Sequence, residues 1–121
     1  AGYIKRLDAT VIQRYRYRMV NIHPALLPSF GGKGMYCVHV HEAVIASGVK
    51  LTGVTVHIVD EEYDHGLIVL QRAVAVEDHD SQETLAAKVL KVEHQLYPEA
   101  VRLFAEGKVH VNGRRVYVDH D

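Results

Sequence analysis

Apolar positions alternate between two rhythms along this chain, and the rhythm assigns most of its elements. Residues 1–7 read as the end of a strand and its loop, and Asp8 caps a short helix reaching about Tyr15. Met19 to His23 is apolar enough for a buried parallel strand. Gly31-Gly32-Lys33-Gly34 forms a loop, followed by a helix from about Cys37 to Ser47 that Gly48 closes. Leu51–Val59 is dense in β-branched residues and reads as a strand, as does Leu67–Val76. Between them, residues 60–66 make a polar loop longer than a tight hairpin turn. Ser81, with Gln82, Glu83 and Thr84, opens the longest helix, which carries Leu85, Val89, Val92 and Leu96 on one stripe. Pro98 is expected to kink or restart that helix, and Gly107 to end it. Lys108–Val111 and Arg114–Val118 flank Asn112-Gly113, a type I′ hairpin signal. Helices and parallel strands followed by hairpins indicate an α/β sheet with antiparallel additions at one edge.

Composition narrows this picture without redirecting it. The 121 residues amount to one domain, with 48% hydrophobic and 24% charged positions. A net charge of −1 gives no global argument for a nucleic-acid partner. Five of the 14 Lys and Arg fall within residues 5–18, but Asp8 and apolar residues interrupt them, as on a solvated helix face. A single cysteine, Cys37, excludes an intrachain disulfide and a cysteine-based zinc cluster. There is no signal-like segment and no apolar run of membrane-spanning length, so a cytoplasmic protein without membrane contact is expected.

The chemistry concentrates in Asn21-Ile22-His23-Pro24-Ala25-Leu26-Leu27-Pro28 and in Asp64-His65-Gly66. An Asn and a His at i and i+2 on a strand project to the same side. The prolines at 24 and 28 prevent a direct continuation into helix. Asn donates a neutral hydrogen bond, His donates or carries a proton, and Gly66 permits a tight turn presenting Asp64 inward. Such a set suits acyl-type transfer through an oxyanion. His39-Val40-His41 is a weak metal candidate, since rings at i and i+2 on a helix diverge; no metal is expected. His57, on the strand leading into the Asp64 loop, suits a supporting role, while His79, His110 and His120 read as surface residues.

These motifs, with Tyr63-Asp64-His65-Gly66 and Glu93-His94…Tyr97-Pro98, resemble the phosphoribosylglycinamide formyltransferases, folate-dependent formyl carriers of purine biosynthesis. The resemblance runs from Ala1-Gly2-Tyr3 to about Asp119 but covers only the C-terminal part of the family pattern. It implies the C-terminal part of a Rossmann-like formyltransferase fold: a mixed sheet with flanking helices and a C-terminal β-hairpin. Residues 1–121 would form a single catalytic and folate-binding subdomain whose N-terminal phosphate-binding half is absent.

By the resemblance, Asn21 and His23 bind the formyl oxygen, His23 serves as proton donor, and Asp64 raises the His23 pKa. The folate would lie against Ile4, Lys5, Arg6 and Leu7, Asn21, and the loop Val59, Asp60, Glu61, Glu62 and Tyr63. Pro24 and Glu93 would contact the ribonucleotide substrate; Arg6 and Leu90 depart from the family pattern. The implied reaction moves a formyl group from 10-formyltetrahydrofolate to the amine of glycinamide ribonucleotide. Alternatives are a related formyltetrahydrofolate-using enzyme, either a hydrolase or another formyltransferase, or a non-catalytic folate-binding fragment. A lone fragment is expected to turn over little and to self-associate or pair with a complementary N-terminal piece.

Overall fold

The computed structural model describes residues 20–31, 38–59 and 67–119. In chain order the elements are β1 (Val20–His23), α1 (Val38–Ser47), β2 (Leu51–Ile58), β3 (Ile68–Ala75), α2 (Gln82–Ala105), β4 (Val109–Asn112) and β5 (Arg115–Val118). The expected helix after Asp8 and the segments Ile4–Leu7, Gly32–Cys37 and Asp60–Gly66 lie outside the described residues.

β1, β2 and β3 form a three-stranded sheet in that order, and β4 and β5 form a separate hairpin. Every described strand pair is antiparallel. The Met19–His23 run was expected to be a parallel strand, yet β1 runs opposite to β2. Continuous apolar character reports burial on both faces, which parallel sheets usually provide. Here β2 reaches the same condition in antiparallel company, with seven of its eight residues buried.

Ile22 of β1 and Val54 and Val56 of β2 share one face and pack against Val40 and Val44 of α1 and Leu85, Val89, Leu96 and Ala100 of α2. A second cluster, Ile58, Leu67 and Val69, receives the apolar side of the hairpin through Val109, Val111, Val116 and Val118. The intervening residues Asn21, His23, Thr55 and His57 alternate with them and share the other face of the strands.

α2 begins as its sequence predicts. Ser81 accepts a hydrogen bond from Thr84 N (3.2 Å), and Thr84 Oγ1 accepts one from Ser81 N (2.9 Å), a reciprocal cap. Asp80 supports the same turn by accepting from Lys88 Nζ (2.6 Å), Glu77 N and Thr84 Oγ1, chiefly through Lys88, which holds its carboxyl down at about 2. The helix then runs through Pro98 without restarting. Leu96, Ala100 and Leu103 are buried on either side of the proline, and that packing carries the helix past its missing N–H.

The hairpin register also differs from expectation. Asn112 pairs with Arg115, so the two-residue loop is Gly113-Arg114. Gly113 has φ +63, while Phe30 is the only described non-glycine residue at positive φ. A loop with positive φ at its first position alone follows the type II′ pattern, not type I′.

Gly53, inside β2, is set by close approach. A Cβ there would meet the Arg72 carbonyl oxygen and lie 2.5 Å from Leu26 Cδ2. Gly53→Ala is expected to destabilise the fold by about 1–3 kcal/mol, as overpacked cores do. A denaturant midpoint unchanged from wild type would show that Leu26 and the β3 backbone at Arg72 both yield freely.

Candidate functional site

The site is built on three adjacent strands. Asn21 stands opposite His57 and His23 opposite Thr55 across the β1–β2 ladder. Thr55 in turn stands opposite Gln71 on β3. Cross-strand partners share a face, so His23, Thr55 and Gln71 form one row and Asn21 and His57 the next. Asn21, His23, Thr55 and His57 are all buried, at 7%, 3%, 0% and 3% exposure. Polar groups this deep in a sheet need defined partners, and several are evident.

The segment after β1 folds back over the strand end. Ser29 N donates to Leu26 O (3.0 Å), and Phe30 takes φ +56. This turn brings the Phe30 carbonyl to His23 Nε2 at 2.9 Å. A carbonyl can only accept, so Nε2 carries a hydrogen and donates it, which sets the orientation of the ring. A left-handed conformation at a bulky residue costs of order 1–3 kcal/mol and persists only where its surroundings impose it.

Those surroundings centre on the Thr55 hydroxyl. It donates to Ala25 O (2.7 Å) and accepts from Leu27 N (3.0 Å) and from Gln71 Nε2 (3.0 Å). The same Gln71 nitrogen donates to Leu27 O (3.0 Å). One donor and two acceptor positions are all that a hydroxyl has, so Thr55 is fully engaged. Sequence reading passed over Thr55 and Gln71. Both sit in β-branched, strand-like runs, and only the strand register reveals that they reach the same loop.

His39 and His41 diverge, as their spacing on a helix requires: His39 is exposed and His41 is 7% exposed. Burial, and secondarily the nearby charge of His23, hold the His41 pKa below its ordinary value. His41 is thus neutral in the fold, and its Nδ1 is buried without a hydrogen-bond partner among the described residues. With the folded pKa below the unfolded 6.5, protons bind the unfolded chain preferentially. Stability is therefore complete above about pH 6.5 and is lost as pH falls from there through the folded value. His41→Leu is expected to flatten this loss, read from denaturant midpoints between pH 7.5 and pH 5; an unaltered slope would contradict it.

The other expected site residues are more dispersed. Pro24 follows β1 directly and is half-buried, and Val59 is buried just past β2. Glu93 is half-buried on α2, where burial pushes its carboxyl up. α2 lies on the face of the sheet opposite Asn21 and His23, and no described contact joins Glu93 to them. Leu90, one turn earlier, is 46% exposed. Asp64, Ile4, Lys5, Arg6, Leu7, Asp60, Glu61, Glu62 and Tyr63 all lie outside the described residues. Among the described residues, no three His, Cys, Asp or Glu side chains are grouped to hold a metal ion, and no helix is long and apolar enough to cross a membrane.

Comparison with known proteins places this arrangement. The formyl transferase family matches residues 1–101. A chloroplastic phosphoribosylglycinamide formyltransferase from Vigna unguiculata is 50% identical over 109 residues, covering 90% of this chain and 35% of that protein. The trifunctional purine biosynthetic protein adenosine-3 of Bos taurus is 42% identical, covering 100% of this chain and 12% of its own length. Among solved structures, a phosphoribosylglycinamide formyltransferase from Anaplasma phagocytophilum superposes with a TM-score of 0.90 at 35% identity, over 100% of this chain and 57% of that one. A formyltetrahydrofolate deformylase from Pseudomonas syringae gives 0.87 at 31% identity, over 98% and 38%. The chain thus spans about a third of the first of these relatives and little more than half of the Anaplasma structure. The Rossmann-like formyltransferase fold expected from the motifs is the one observed.

Proposed function

Because the chain belongs to the formyl transferase family, we propose that it carries the formyl-transfer site of a phosphoribosylglycinamide formyltransferase. The observation that supports this most is the pairing of Asn21 with a His23 whose Nε2 is committed to the Phe30 carbonyl. That bond orients the ring, whose other nitrogen is Nδ1. As a neutral ring, His23 would offer only a lone pair there. As imidazolium it donates a hydrogen bond, and a neighbouring carboxylate such as Asp64 favours that form.

In this reading the amine of glycinamide ribonucleotide attacks the formyl carbon of 10-formyltetrahydrofolate. The carbonyl π pair moves to the formyl oxygen, where the Asn21 amide and His23 Nδ1–H stabilise the negative charge. Asp64, directly or through water, takes the proton from the attacking nitrogen. Collapse of the tetrahedral intermediate breaks the bond to the folate nitrogen, which gains a proton with His23 as donor. Ile4, Lys5, Arg6, Leu7, Val59 and residues 60–63 would hold the folate, and Pro24 and Glu93 the ribonucleotide. No resident metal is needed for these steps. A cytoplasmic location is part of the same proposal.

The relatives are longer than the stretch matched here. The proposal therefore includes a phosphate-binding portion, supplied by further chain, by a companion polypeptide or by a second copy. Residues 1–121 alone are the catalytic and folate-binding subdomain and turn over little.

The deformylase likeness gives the competing reading, in which water replaces the amine. Incubating the full-length protein with 10-formyltetrahydrofolate and each acceptor in turn separates the two. Formylated glycinamide ribonucleotide is the expected product. Formate release that ignores the ribonucleotide would overturn the proposal in favour of hydrolysis.

A further inference from the structure

Gln71 belongs to β3, two strands away from the Asn21–His23 pair, and no step above uses it. Its amide nevertheless reaches across β2 and places both N–H groups: one on Leu27 O and one on the Thr55 hydroxyl, each at 3.0 Å. Thr55 has no remaining capacity, since it also binds Ala25 O and Leu27 N. Three backbone groups of the 25–27 segment are thereby fixed from the sheet. The Leu26–Ser29 turn continues from this anchor and ends at Phe30, whose carbonyl accepts from His23 Nε2.

We propose that Gln71 is a positioning residue for His23: by clamping Leu27 together with Thr55, it holds the Phe30 carbonyl where it accepts from His23 Nε2 and so fixes the orientation of the ring. The inference rests on the reading of His23 as the formyl-oxygen donor. Phe30 sits at φ +56, a conformation that relaxes unless its flanks are held. Without the clamp, the carbonyl drifts and Nε2 loses its fixed partner. The ring then loses the orientation in which it faces the substrate. Gln71 itself is exposed and lies outside the apolar clusters, so its loss leaves the core intact.

Two variants of the full-length protein test this, Gln71→Ala and Gln71→Glu. The first deletes both donors. The second keeps the shape but turns a double donor into an acceptor facing a carbonyl. Both are expected to lower kcat about ten- to a hundredfold with KM little altered, the scale seen when a reacting group is slightly misplaced. In parallel, the 15N shifts of the His23 ring nitrogens, measured without substrate, are expected to move from their wild-type values as the Nε2 bond to the Phe30 carbonyl is lost. Gln71→Ala or Gln71→Glu with wild-type His23 shifts overturns the proposal, whether kcat is kept or falls in proportion to folded protein. The two readouts also separate this inference from the one beneath it. Should the wild type transfer no formyl group while the His23 shifts still respond to Gln71, the clamp stands and the catalytic reading falls.

Discussion

Asn21→Ala is expected to lower the rate of formyl transfer about 10²–10³-fold, the usual cost of one oxyanion donor. The expectation follows from placement. Asn21 is 7% exposed on a strand that also carries His23, and the ladder holds the two residues at a fixed separation. A neutral amide so held costs no reorganisation when charge appears on the formyl oxygen. The loss should fall on kcat, since the donor matters most in the transition state. His23→Ala is expected to lose at least as much, because it removes a donor and a proton carrier together. The double variant should cost less than the product of the two, as groups acting on one atom are not additive. Steady-state kinetics on the full-length protein check all three. Activity within a few-fold of wild type in Asn21→Ala would remove the amide from the mechanism.

Leu96→Ala is expected to be the most damaging single change to stability, by about 2–5 kcal/mol. Leu96 is 1% exposed and joins α2 to the sheet in the main cluster. Pro98, two residues on, deprives the His94 carbonyl of its helical partner, so α2 is weakest there and relies on Leu96, Ala100 and Leu103. The cost is a large share of the 5–15 kcal/mol typical of a domain. It should be accompanied by faster amide exchange over residues 99–105 than over residues 85–93. A loss below about 1 kcal/mol, with uniform exchange along α2, would show that the helix does not depend on this contact.

What the sequence disclosed and what it concealed divide along physical lines. Asn21 and His23 were legible because strand alternation is local: two residues at i and i+2 share a face whatever the rest of the chain does. The Ser81–Thr84 cap and the Leu85–Val89–Leu96 stripe were legible for the same reason. Strand direction was not, because a run buried on both faces looks identical in either sense. Pro98 signals a kink or a restart because its local cost is plain, while the burial that outweighs it is spread over Leu96, Ala100 and Leu103 and their partners elsewhere in the chain. The hairpin loop slipped by one residue, since Asn112-Gly113 and Gly113-Arg114 are both acceptable turn pairs and cross-strand packing of Val109, Val111, Val116 and Val118 decides between them. The clamp was hidden for a deeper reason. Thr55 and Gln71 become partners only through a register between two strands, and a threonine among valines signals nothing but strand.

Glu93 illustrates a residue whose role the fold leaves to the ligand. Its raised carboxyl pKa records burial on the helical layer, not company with the Asn21–His23 pair.

The most direct measurement is a crystal structure of the full-length protein with a non-transferable analogue of 10-formyltetrahydrofolate. The Asn21 amide nitrogen and His23 Nδ1 are expected within hydrogen-bonding distance of the formyl oxygen, with Nε2 still on the Phe30 carbonyl. A formyl group bound on the helical side of the sheet, or one met by neither side chain, would contradict the account.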